Sequence, residues 1–141
     1  MLSMTTVVDP SALSLLEQAR RGLREAALME AAGDRYAAAH LAALRAAASV
    51  LAARARPSDA PLRRRRPTSA WVLLTGVAPE LEEWAAFFAA GAGKRAAAEA
   101  GVARAVTRRE ADDLVRDVAT FLAVVETTLG LLPGSDQAVA G

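Results

Sequence analysis

The chain carries a single histidine, His40, and no cysteine. Proton exchange near neutral pH therefore rests on one imidazole, and thiol catalysis, disulfides and zinc–thiolate sites are excluded. Arg35 stands five residues earlier, in Arg35-Tyr36-Ala37-Ala38-Ala39-His40. On an α-helix that interval turns two side chains about 140° apart and separates them by about 7.5 Å along the axis. A joint site would thus need a dimer cleft or a frayed first turn. A second feature is the run Arg63-Arg64-Arg65-Arg66. Its guanidinium forks suit phosphate, so these four arginines are the expected nucleic-acid contacts, although no aromatic residue is interleaved for base stacking. Binding through them would weaken steeply with added salt.

Other chemistry is struck off by residue type. Gly91-Ala92-Gly93-Lys94 resembles a phosphate-binding loop only superficially. The first glycine of that pattern falls on Phe88, and Arg95 replaces the hydroxyl residue after the lysine. A di-iron bundle needs a glutamate three residues before its histidine, where this chain has Ala37. No metal and no cofactor is expected.

The elements that must position these residues are helices. Hydrophobic residues make up 53% of the chain and aromatics only 4%; the difference is largely alanine, which favours closely packed helices over strands. Net charge is +1, so no global field draws the chain to nucleic acid or membrane. Lys94 is the only lysine among 17 basic residues, a bias that a GC-rich bacterial genome would produce. The N-terminus lacks a basic stretch followed by an apolar core, and no apolar run is expected to reach the roughly 18 residues of a membrane span. A cytoplasmic location is the resulting expectation.

Asp9-Pro10 opens a first helix carrying Leu13, Leu16, Ala19, Leu23 and Ala26 at helical steps. Gly33-Asp34 is expected to end it and to cap a second, Arg35 to Arg54, whose apolar face holds Tyr36, His40, Ala43, Leu44, Ala47, Val50 and Leu51. Three prolines and the arginine run make residues 55–68 an exposed basic loop. A short helix follows from Ser69, carrying Trp71. A third main helix starts at Pro79, draws its bulk from Leu81, Trp84, Phe87 and Phe88, and weakens at Gly91 and Gly93. The capping box Thr107-Arg108-Arg109-Glu110 starts the fourth, which Gly130 stops. The expectation is an all-α, up-and-down four-helix bundle over residues 10–130, with one extra short helix. Residues 1–9 and 131–141 are expected to be disordered.

The stretch Asp34 to Ala48, together with Pro79-Glu80-Leu81-Glu82-Glu83-Trp84 through Gly91 and Thr107 through Leu114, resembles the HEPN domains (higher eukaryotes and prokaryotes nucleotide-binding). Within them it is most similar to a small actinobacterial group of stand-alone proteins. The resemblance implies a helical bundle that often dimerises and acts on or binds RNA or nucleotides. In its catalytic form it is a metal-independent endoribonuclease built on an arginine and a histidine. Carried over, Arg35 would hold the scissile phosphate and His40 would exchange a proton with the ribose hydroxyl or the leaving oxygen. The departure is that the motif opens the second helix, with Tyr36 where a small polar residue commonly follows the arginine. The alternative is a non-catalytic interaction module in which His40 is a core residue and Arg35 pairs with an acid such as Asp34 or Glu30.

Overall fold

The computed structural model describes residues 8–54 and 69–131. The arginine run 63–66, most of the N-terminal segment and most of the C-terminal tail lie outside the described residues. Six α-helices appear in order: α1 (Pro10–Leu28), α2 (Ala32–Ala53), α3 (Ala70–Val77), α4 (Glu82–Ala90), α5 (Ala92–Glu99) and α6 (Arg108–Thr128), with a single 3-10 turn at Pro79–Leu81 before α4.

α1 and α2 form a hairpin and share the most extensive helix contact. The Asp9 carboxylate caps α1 through the Ser11 amide, at 2.7 Å. Helix directions follow from side-chain contacts. Arg35 near the start of α2 meets Asp112 near the start of α6, while Arg20 of α1 meets Glu126 near the end of α6 at 2.8 Å. Hence α6 runs parallel to α2 and antiparallel to α1. Arg54, at the far end of α2, reaches the Val77 carbonyl and Glu80, whereas Phe88 lies level with His40. α4 therefore climbs back along α2. The four-helix, all-α bundle is present, with α3 as the extra short helix.

The expected weakening of the third main helix is a full break at Gly91. Gly91 adopts φ −88° and ψ 0° between α4 and α5, and α5 turns to lie against the start of α2, where Ala98 faces Gly33. Two expectations need correction here. Gly33 and Asp34 do not separate α1 from α2; both lie in the first turn of α2, which begins at Ala32. There Asp34 complements the helix dipole, and Gly33 lets α5 approach. Phe87 was expected in the core but is 46% exposed, because the inward face belongs to Ala85 and Phe88 of α4, in line with Leu81 of the preceding 3-10 turn.

α2 explains the alanine content. Ala39, Ala42, Ala43, Ala46 and Ala47 are all buried, and small side chains let α1, α6, α3 and α5 close on this one central helix. Against expectation, α2 is long and apolar enough to span a membrane: it has 22 residues and contains an 18-residue stretch with a mean hydropathy of 1.3. Half of that stretch is buried inside the bundle. The thicker half of the core is an aromatic cluster in which Trp71 and Phe88 stack at 5.0 Å and Phe121 meets Phe88 at 4.9 Å. α6 carries the predicted capping box. It stops at Gly130, whose φ of 82° suits the left-handed residue after a helix; the Leu131 amide returns to the Glu126 carbonyl at 2.7 Å.

Candidate functional site

His40 points inward from α2 and is 1% exposed. Its ring lies between Tyr36 at 6.5 Å, Trp71 edge-on at 6.0 Å and Phe88 edge-on at 5.9 Å. Nε2 donates to the Phe88 carbonyl at 3.1 Å, and this bond places the proton on Nε2. Nδ1 is buried and has no hydrogen-bond partner among the described residues. Burial pushes the imidazole below its ordinary value, against the smaller opposing pull of the Phe88 carbonyl. His40 is thus a neutral ring inside an apolar cage.

Arg35 points elsewhere. Its side chain is 16% exposed; Nε donates to the Met29 carbonyl at 3.0 Å, and a terminal nitrogen pairs with Asp112. One guanidinium therefore satisfies a carbonyl just past the end of α1 and ties that turn to α6. The acid is neither Asp34 nor Glu30 but one 77 residues away, a pairing no local pattern encodes. The structure does not bring Arg35 and His40 to one place: one faces α6 and the α1–α2 turn, the other faces α3 and α4. Arg63, Arg64, Arg65 and Arg66 fall outside the described residues.

What the described residues do form is an open cleft of about 430 Å³ among α2, α4, α5 and α6. Tyr36, Phe87, Phe88 and Leu114 give it apolar walls, and His40 is also among its lining residues although only 1% of it is exposed. Lys94, Glu110, Asp113 and Asp117 supply its charges. Lys94 is bound to Glu110; that contact raises the lysine and, together with the Thr107 amide, lowers the carboxylate. Asp113 pairs with Arg116. Glu110, Asp113 and Asp117 recur at three- and four-residue steps and so share one side of α6. That spacing is visible in the sequence, but the wall opposite, from Phe87 to Lys94, becomes visible only once the chain breaks at Gly91. Among the described residues no group of three or more His, Asp or Glu side chains could hold a metal ion.

Set against protein-family models, residues 26–126 match the SAV_6107-like HEPN family. The chain belongs to that family. The match runs from the end of α1 nearly to the end of α6, so it covers the α1–α2 turn, the aromatic cluster and the cleft of this HEPN domain. Neither the curated proteins nor the solved structures yielded a match.

Proposed function

We propose that this HEPN domain is a non-catalytic binding module, with Arg35 and His40 serving its architecture. The observation that carries the reading is the enclosure of His40. A proton carrier must reach substrate oxygen within about 3 Å, yet Nε2 is committed to the Phe88 carbonyl and Nδ1 is sealed within the core. Depression of the imidazole by burial further opposes the charged form that an acid catalyst needs. A second copy of the chain could add groups to a surface cleft. It could not uncover a ring enclosed by Tyr36, Trp71 and Phe88 without dismantling the core of its partner. Arg35, for its part, is already occupied by a carbonyl and a carboxylate.

The test is incubation of mixed-sequence single-stranded RNA with the purified chain in EDTA, beside folded His40→Gln. The binding-module reading expects no cleavage by either protein, and a lowered Tm for the variant. Cleavage by the wild type that disappears in the folded variant would overturn it.

A further inference from the structure

We infer that the cleft among α2, α4, α5 and α6 is a binding site for an organic cation, a guanidinium or ammonium group carried on a flat apolar body. This inference rests on the binding-module reading and adds the chemistry of the ligand. The volume, about 430 Å³, lies within the range of small-molecule pockets. The charges select the sign. The cleft lining holds one cation, Lys94, and three carboxylates, Glu110, Asp113 and Asp117, a net charge of −2. Lys94 is paired with Glu110 within the cleft itself, so that pair adds no net charge to the lining. Asp113 has Arg116 beside it. Asp117 makes no ion pair among the described residues, which leaves one carboxylate directed by its helix toward the cleft and available to a cation.

Two further groups point to a ligand independently of the acids. Tyr36 is only 8% exposed, yet its hydroxyl makes no hydrogen bond to any described residue. That hydroxyl stands beside Gly91, where an added Cβ would lie 2.9 Å from it, and so between cleft-lining groups of α2 and the α4–α5 junction. Burial raises the Tyr36 phenol above its ordinary value, which keeps it a neutral acceptor for an N–H. Phe87 is the second group, a large aromatic left 46% exposed on the opposite wall. An aromatic face beside carboxylates is the combination that holds a weakly hydrated cation, through the ring quadrupole and charge-assisted hydrogen bonds together.

The experiment titrates the full chain at low ionic strength with three probes of one shape: benzamidinium, neutral benzamide and anionic benzoate. Binding is followed by chemical-shift changes or calorimetry. Benzamidinium should bind about tenfold or more tightly than benzamide, and benzoate should not compete. Asp117→Asn should reduce benzamidinium affinity by about tenfold, and Tyr36→Phe by a few fold, both with unchanged folding. The source of the cation is then read with an arginine-containing hexapeptide. Binding tighter than that of acetyl-arginine amide assigns the group to a partner protein, and equal binding assigns it to a free small molecule. Equal affinity for the three probes, preference for benzoate, or undiminished binding by Asp117→Asn would overturn the inference. The RNA assay above reports on catalysis alone, so the two readings fail separately.

Discussion

Gly91 makes a sharp test of how the cleft is built. Its φ of −88° is negative, outside the left-handed region where glycine is the default, so the glycine is not there for a left-handed turn. It is there for space. A Cβ at this position would lie 2.9 Å from the Tyr36 hydroxyl, 3.6 Å from the Phe88 carbonyl and 3.9 Å from His40 Cδ2. Only the first distance is below ordinary contact. Tyr36 cannot swing aside freely, because it is buried and its ring packs on His40. Gly91→Ala should therefore carry an overpacking cost of about 1–3 kcal/mol. The reduced entropy of the unfolded chain offsets it by about 0.4–1 kcal/mol.

The same alanine should become neutral or stabilising once the hydroxyl is removed. In Tyr36→Phe the 2.9 Å contact is gone, and the two that remain are ordinary. Tyr36→Phe alone should cost little, since the hydroxyl has no hydrogen-bond partner among the described residues. The double-mutant cycle, measured by urea denaturation, should thus give a coupling energy of about 1–3 kcal/mol, favouring the double variant. Additivity of the two substitutions within about 0.5 kcal/mol would refute the reasoning, because it would mean that the hydroxyl does not stand over Gly91.

Stability should fall on mild acidification because of His40. Its folded value is depressed below the ordinary 6.5, so the unfolded chain binds the proton more readily. The contribution is complete above about pH 6.5 and is lost as pH falls from there through the folded value. Glu80 and Glu110, also depressed, act below their ordinary 4.5 and so in a separate window. Denaturation midpoints across pH 5–7 should decline for the wild type and stay flat for His40→Gln; parallel declines would place the titrating group elsewhere. Arg35→Ala should destabilise by about 1–2 kcal/mol through loss of its bonds to the Met29 carbonyl and Asp112. Arg35→Lys should restore little, since one ammonium cannot reproduce a fork aimed at two acceptors; full rescue by lysine in thermal melts would count against that geometry.

The fold was legible where a local pattern and a tertiary need coincide. The capping box at Thr107 and the stop at Gly130 specify α6 from neighbouring residues alone, and the apolar stripe from Leu114 to Val125 agrees with them. Gly33-Asp34 misleads as a boundary because it carries the local signals of a stop and a cap. Close approach of Ala98 puts the glycine to a different use, inside the first turn of α2. Phe87 misleads for a related reason. Beside Phe88 on a helix only one of two neighbours can face inward, and Phe88 is the one in register with buried Leu81 and Ala85. His40 was legible as a residue on an apolar face. Its enclosure was not, since Trp71 and Phe88 come from helices 31 and 48 residues further on.

The arginines show most directly what architecture asks of residues whose spacing also suggests chemistry. Arg35 donates to the Met29 carbonyl, Arg108 to the Glu30 carbonyl at 3.2 Å, and Arg54 to the Val77 carbonyl at 2.9 Å. Each of these oxygens lies at or just past the end of a helix, where the intrahelical donors have run out. None of α1, α2 or α3 is followed by the glycine that usually closes such an end. A bundle with bare helix ends and a single lysine has long guanidinium forks available for the task, and two of the three also reach an acid on another element, Asp112 or Glu80. Arginine at these positions joins helix ends to their neighbours. The spacing from Arg35 to His40 fits that architecture: an arginine in the first turn of α2 serves the turn behind it, and five residues on, about 140° further round the helix, His40 faces the aromatic core.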